Sequence, residues 1–302
     1  MSVGSLRSAV RVMDSLSPEQ AQVLDQWSGQ LQGALKTLVD QGGPAAQRVK
    51  NWLNGVWLGH ALHPALTDVP IGAWSTGFVL DLVGERRPAD AALTVGVIAA
   101  VPTALAGAAD WADTADEQRR GGLIHAVLNS IGLVCMIGSL FARRAEQRAV
   151  GFGLSTAGLA LATFSAWLGG ELVYRLGTAV NRNAWLPTLD EFVPAIEVDK
   201  LEPGKLTGAT VEIEGQPVSL VLLKEGDSVL ALSGTCSHWG GPLAEGKLLE
   251  DECVECPWHA SQFSMRDGSV LQGPATTRQP VFETRMRNGM LEVRRRAEQG
   301  SA

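Results

Sequence analysis

The chain has 302 residues, 45% hydrophobic and 19% charged, with a formal net charge of -7 at pH 7. That hydrophobicity excludes disorder, four cysteines exclude a disulfide scaffold, and the lack of a basic stripe argues against a nucleic-acid partner. Sixteen charged residues lie between His60 and Gly170 and 27 from Glu197 onward, which excludes one homogeneous globular fold.

Residues 1–59 read as amphipathic helices. Ser17-Pro18-Glu19-Gln20 is an N-cap with Pro at the first helical position. Val23, Leu24, Trp27, Leu31, Leu35 and Leu38 follow at helical spacing up to Gly42-Gly43. A second helix is expected from Pro44 to Trp57, with Val49, Trp52, Leu53 and Val56 on one side. Such helices could lie on a membrane surface, cover a bundle or mediate self-association. No short basic segment precedes an apolar run at the N-terminus, so no signal peptide is expected.

Residues 60–176 read as a helical domain of about four membrane spans. Ala91–Ala109, Gly121–Ala142 and Ala149–Gly170 carry no formal charge, and each approaches the length of about 20 residues that a bilayer requires. Ala65–Gly84 is a weaker fourth span, because Asp68 and Asp81 sit near its ends. The connectors are short and charged, and the spans are rich in Gly and Ala, which lets membrane helices approach closely. A water-soluble Ala-rich bundle is the alternative, and it would show a polar stripe. The expected location is a bacterial cytoplasmic membrane, multi-pass, with lipid as a partner. Lys and Arg are nearly balanced on the two sides, so the positive-inside rule leaves the orientation open.

Helix parity places His60, His63, Asp68, Asp110, Asp113, His125, Glu171 and Tyr174 on one side, the side from which the C-terminal domain leaves. Of these, His63, His125, Asp110 and Glu171 form a candidate polar site for a quinone headgroup or a haem b, since ionisable groups at membrane depth are functional candidates. The inert alternative is a set of wet interfacial caps.

Residues 177–196 read as a linker, 197–296 as a small all-β domain and 297–302 as a tail. Short β-rich runs alternate with turn signals at Glu214-Gly215, Glu225-Gly226-Asp227 and Asn288-Gly289. Within this domain stand Cys236-Ser237-His238 and Cys256-Pro257-Trp258-His259. Two Cys and two His can bind zinc, but a zinc finger of that composition groups Cys with Cys and His with His. One Cys and one His per loop suits a two-iron cluster with thiolates on one iron and imidazoles on the other.

At these residues the chain resembles the Rieske [2Fe–2S] family. The likeness extends to Gly240-Gly241-Pro242-Leu243 after the first pair and to Gly273-Pro274-Ala275. It implies a [2Fe–2S] cluster on Cys236, His238, Cys256 and His259, with Gly273 and Pro274 in a loop covering it. Rieske proteins of cytochrome bc complexes carry a further cysteine in each loop. Here Trp239-Gly240 and Pro257-Trp258 occupy those neighbourhoods, so the chain is similar to Rieske ferredoxins and oxygenase-system domains instead. Ser261 stands where the bc type has a serine donor to a sulfur, and Phe263 where it has a tyrosine. With fewer donors the potential is expected in the lower half of the Rieske range of roughly -150 to +300 mV. Cys253 reads as a structural strand thiol and Cys135 as packing within a span. The helical domain resembles an uncharacterised bacterial family of about four membrane helices, on His63-Pro64, Pro70-Ile71-Gly72 and Gly169-Gly170-Glu171-Leu172-Val173-Tyr174.

The chain has five His, two of them in the cluster motif, and no α/β catalytic domain to hold a mononuclear oxygenase iron. No glycine-rich dinucleotide motif follows a strand. Two function classes remain. One is a membrane-tethered carrier passing single electrons to or from a redox partner protein. The other is a membrane oxidoreductase in contact with the quinone pool or a haem.

Overall fold

Residues 16–295 are described by the structure, a computed structural model; the expectations for a signal peptide and for the tail at 297–302 fall outside them. Five helices come first: α1 (Pro18–Asn54), α2 (Leu62–Leu82), α3 (Arg86–Trp111), α4 (Asp116–Arg144) and α5 (Arg148–Gly170). The chain divides into two compact units. Among the described residues, one takes in 16–49 and Leu62–Thr178, and the other takes Lys50–Ala61 and 179–295.

Ser17 and Gln20 cap α1 reciprocally, each backbone N–H donating to the other's side-chain oxygen at 2.9 and 3.2 Å. Gly43 leaves the helical region at φ 58, just before Pro44, so the two expected helices run as one kinked element. The apolar stripe of α1 is not its covered face. Val23, Trp27 and Leu38 stay more than half exposed, while Ser28 and Gln32 are buried. The reason is hydrogen bonding at the end of α3. Gln32 Nε2 donates to the carbonyls of Trp111 (2.7 Å) and Thr114 (3.0 Å), acceptors that a helix end leaves without intrahelical partners. Asp25 accepts from Arg119 and Arg120, each at 2.9 Å.

Three helices among the described residues are long and apolar enough to cross a membrane: α3, α4, and Arg148–Arg175, which extends α5 by a π-turn. The first expected span, α2, is 21 residues long but contains Asp68 and Asp81 and is not among the three. Large apolar side chains such as Ile98, Val134 and Phe141 point outward, each about two-thirds exposed. A water-soluble bundle would turn polar groups outward instead.

The helical bundle is two hairpins. Helix α2 packs on α3 and α4 on α5; α3 meets α4 and α2 meets α5, which leaves α2 and α4 on a diagonal. The hairpins repeat each other at a constant offset of 62 residues. Helix α3 buries Ala89, Leu93, Gly96, Ala100, Thr103 and Ala106. Helix α5 buries the counterparts Gly151, Ser155, Gly158, Ala162, Ser165 and Leu168. Pro70, Trp74 and Gly77 of α2 correspond to Gly132, Met136 and Ser139 of α4. Close approach explains the glycines: a Cβ at Gly96 would lie 2.3 Å from the Trp74 ring, and one at Gly158 2.8 Å from the Gly132 carbonyl.

The second unit holds two sheets. The larger runs β1 (Leu189–Glu197), β10 (Met290–Arg295), β9 (Val281–Arg287), β4 (Ser228–Ser233), β3 (Gln216–Glu225), β2 (Leu206–Ile213). The smaller runs β5 (Lys247–Leu249), β6 (Cys253–Glu255), β7 (Gln262–Ser264), β8 (Val270–Gln272). Glu214-Gly215 and Asn288-Gly289 turn their hairpins with positive φ at both residues, the geometry that matches strand twist. The β fold begins earlier than 197. Strand β1 lies inside the expected linker because it pairs antiparallel with β10 and packs Leu189, Val193 and Ile196 on the larger core. A second core, with Val221, Leu223, Leu232, Phe263 and Met265, includes Cys236 and Cys256.

Candidate metal centre

Two loops leave the strands with the same backbone hydrogen-bond pattern. After β4, the Cys236 N–H donates to the Gly241 carbonyl (2.9 Å) and the Cys236 carbonyl accepts from Gly240 (2.8 Å). After β6, the Cys256 N–H donates to the Ser261 carbonyl (2.8 Å) and its carbonyl accepts from Ala260 (3.1 Å). Each loop closes through a residue with positive φ, Gly240 at 82° and Ala260 at 57°. The loops also fit each other closely. A Cβ at Gly241 would lie 2.8 Å from Cys256 Sγ and 3.1 Å from the Trp258 ring, so only glycine leaves that sulfur in place.

The structure brings Cys236, His238, Cys256 and His259 together as two pairs. The buried Cys236 thiol donates to Cys256. That hydrogen bond pushes Cys236 up, with desolvation adding to the rise, and draws Cys256 down to about 6. The His238 and His259 rings lie 5.1 Å apart between centroids and perpendicular, at 89°. Burial holds His238 well below the ordinary imidazole range, with the charges of His259, Lys50 and Arg182 adding to the effect. Its Nδ1 is buried without a hydrogen-bond partner among the described residues, as a nitrogen meant for a metal would be. No three His, Cys, Asp or Glu among the described residues gather for a single ion. Thiolates on one side and imidazoles on the other fit a two-iron cluster, and the chemistry of this donor set therefore suits one.

A third segment lies beside the loops. Ser261 Oγ accepts from the Ala275 N–H at 3.0 Å, and Ser261 and Phe263 are fully buried. Pro274 follows Gly273 through a cis bond. Asn51 Oδ1 accepts from the Gly273 N–H (3.2 Å), Val56 packs against Gly273, and Thr277 Oγ1 donates to the Gly59 carbonyl (3.4 Å). These contacts are why Lys50–Ala61 groups with the β unit. Cys253 is buried in β6 opposite Ser264, and burial followed by the nearby Glu255 charge raises its thiol. All four cysteines are free of disulfides.

Sequence reasoning missed a buried amide network that holds the first loop. Gln279 Oε1 accepts from the Ser237 N–H (2.8 Å), and its Nε2 donates to the carbonyls of Ser233 (3.0 Å) and Thr235 (2.8 Å). Asn183 Nδ2 donates to the Thr235 carbonyl (2.8 Å) and its Oδ1 accepts from Ser233 Oγ (2.8 Å). No local pattern marks these residues, and Asn183 sits in the expected linker. Gln279→Ala should cost about 1–3 kcal/mol, the range for stranding buried backbone partners. Chemical denaturation of the full chain followed by Trp fluorescence, alongside cluster content, measures this; an unchanged midpoint counts against the network.

The other candidate site lies in the helical unit. His63 and His125 come together, with ring centroids 6.0 Å apart at 84°. Glu171 is engaged by Arg175 at 3.6 Å, and Asp110 stands in the last turn of α3.

Comparisons place these features beside known proteins. Residues 191–283 match the Rieske [2Fe-2S] domain family, and residues 59–182 match the family described as Predicted membrane protein (DUF2231). The 3-phenylpropionate/cinnamic acid dioxygenase ferredoxin subunit of Escherichia coli strain K12 is 33% identical over 86 residues, 28% of this chain and 80% of that protein. Its counterpart in Shigella boydii serotype 4 is 38% identical over 69 residues, 23% of this chain and 64% of that protein. Among solved structures, the ferredoxin of carbazole 1,9a-dioxygenase from Nocardioides aromaticivorans IC177 aligns with 35% of this chain and all of its own at 26% identity and a TM-score of 0.32.

Proposed function

This chain belongs to the Rieske [2Fe–2S] family through its C-terminal domain, and we propose on that footing that it is a membrane-anchored carrier of single electrons between redox partners. The observation that carries this reading is the pairing of two buried Cys with two His on loops of one pattern, in a chain that also has three helices apolar enough to cross a membrane. The family implies a [2Fe–2S] cluster, and bound there it supplies a one-electron couple. Cys236 and Cys256 would hold it through thiolates, and His238 and His259 through imidazoles. Gly241 keeps Cys256 in place, and the Gln279 and Asn183 amides fix the loop that carries Cys236. By the family likeness, the buried Gly273 and Pro274 would cover the cluster. The Ser261 hydroxyl accepts from Ala275, which leaves its own hydrogen for a cluster sulfur. The partner is a redox protein or the quinone pool, and the membrane is the bacterial cytoplasmic membrane.

Purified full-length protein should contain two iron and two acid-labile sulfide per chain and give the paramagnetic resonance of a mixed-ligand cluster when reduced. One zinc per chain without sulfide overturns the reading. Ser261→Ala should lower the midpoint potential by removing a donor that favours the reduced cluster; an unchanged potential in a redox titration removes Ser261 from that role.

The convergence of His63 and His125 supports a second reading, in which the helical unit holds a quinone headgroup or a haem and exchanges electrons with the cluster. In it, Asp110 and Glu171 are the carboxylates at the same end of the spans.

A further inference from the structure

The two helical hairpins present their histidines in one way. Nδ1 of His63 lies 2.9 Å from the Thr103 carbonyl, and Nδ1 of His125 lies 2.9 Å from the Ser165 carbonyl. Thr103 and Ser165 are counterparts in the 62-residue repeat. A carbonyl only accepts, so in both rings Nδ1 bears the hydrogen and Nε2 bears the lone pair. Asn129 Nδ2 donates to Nε2 of His125 at 3.1 Å, which agrees with that tautomer. Each ring also rests against a counterpart glycine. A Cβ at Gly107 would lie 2.8 Å from the His63 ring, and one at Gly169 3.3 Å from the His125 ring. Backbone-anchored Nδ1–H with Nε2 left for coordination is how metal-binding histidines are commonly oriented.

The ligand class follows from four facts. First, the rings come from the diagonal helices α2 and α4, and bundle cofactor sites are built from side chains on facing helices. Second, two imidazoles on opposite sides of one metal, at about 2.0–2.1 Å each, place their centroids roughly 6 Å apart; the observed separation is 6.0 Å. Third, no third His, Cys, Asp or Glu joins them among the described residues, so a bare ion would have two protein ligands. A tetrapyrrole supplies four in-plane nitrogens itself and asks the protein for axial ligands alone. Fourth, a quinone carbonyl needs a hydrogen-bond donor, and both Nε2 atoms are acceptors.

We propose that His63 and His125 are the axial ligands of one non-covalently bound haem, each delivered by one hairpin of the duplicated bundle. The assignment deepens the second reading above and rests on it. The two histidines share the backbone anchor and the glycine seat, and they differ in that Asn129 engages Nε2 of His125 alone.

The test uses full-length protein in detergent micelles titrated with hemin. The expected result is one hemin per chain with the sharp Soret and α bands of a six-coordinate low-spin iron on reduction. His63→Ala and His125→Ala should each weaken hemin binding at least tenfold and lose the low-spin signature, and added imidazole should restore it. His125→Met should keep binding but move the spectrum to that of mixed His/Met ligation, which a merely structural histidine would not do. Asn129→Leu removes the side chain competing for Nε2 and should bind hemin as tightly or more so. Hemin binding of equal strength in the wild type and the His63→Ala/His125→Ala pair overturns the proposal, as does the absence of a stoichiometric low-spin complex. Iron and sulfide content of the same samples separates the failures. A loaded cluster with no haem site defeats this inference alone, whereas a haem site with no cluster defeats the electron-carrier reading.

Discussion

Cys256→Ser is expected to abolish the iron–sulfur chromophore and the paramagnetic signal of the reduced protein. The substitution removes one of two thiolates that would share an iron, and the partner sulfur lies within hydrogen-bond reach in the same small core. A serine hydroxyl at that position is a far weaker acid than a thiol already drawn down to about 6 by the Cys236 hydrogen bond, so it supplies no anionic ligand at neutral pH. Cys236→Ser should have the same outcome. Cys253→Ser is the control. It lies three residues away with the same burial, yet its thiol is raised by desolvation and stays protonated at neutral pH. It should leave iron, sulfide and midpoint potential unchanged. Retention of a full complement of iron and sulfide in Cys256→Ser, or bleaching in Cys253→Ser, would reassign the ligands.

The contrast between these cysteines was legible in the chain because the metal-binding chemistry is local. Cys236, Ser237 and His238 are consecutive, and Cys256 to His259 span four residues. A loop of that length keeps its Cys and His near each other, and the structure sets the two Cys side by side and the two His side by side. What spacing does not show is the support. Gln279, Asn183 and Asn51 reach the loops from 42, 52 and 222 residues away along the chain, and neither composition nor periodicity carries such distances. The extent of strand β1 was hidden for the same reason. Asn181, Asn183, Pro187 and Pro194 read as a connector, but pairing with β10 overrides that local signal.

The helical unit was legible at a coarser grain. Charge-free runs located the helices, and parity grouped His63 with His125. The internal repeat escaped notice because almost no identities survive in it; His63/His125, Gly96/Gly158, Ala100/Ala162 and Gly107/Gly169 are among the few. The repeat is a pattern of burial, visible once helix faces are known. The first amphipathic helix is a case where periodicity finds the helix and not its covered face: the apolar stripe fits a membrane surface, a bundle or a second copy, and the residues buried within the chain are Ser28 and Gln32. Gln32 reaches the carbonyls of Trp111 and Thr114 from that face, contacts between residues about 80 positions apart that hydrophobic periodicity does not carry.

The same repeat leads to the largest stability effect expected of the helical unit. Asp81 of α2 and Arg143 of α4 are counterparts, and they pair with each other where the histidines pair at the other end. Arg143 donates to both Asp81 oxygens at 2.5 and 2.9 Å, to Asp90 at 3.0 Å, and to Ser139 and Ser155 at 2.9 Å each. Its side chain is 1% exposed and that of Asp81 is 5%. Arg148 supports the same carboxylates at 2.5 and 2.6 Å. Without Arg143, Arg148 alone has to balance both Asp81 and Asp90, and one uncompensated buried charge costs up to about 3–5 kcal/mol. Arg143→Met should therefore destabilise the bundle by that order. Removing both charges is different, because an apolar pair of similar volume is often neutral or better than the buried ion pair. Asp81→Leu/Arg143→Met should recover most of the loss, with Arg148 and Asp90 still paired. Denaturation of the three variants and the wild type in mixed micelles closes the double-mutant cycle. Additive losses would show that the two residues act independently, and that the hairpins are held by packing along their matched small-residue faces instead.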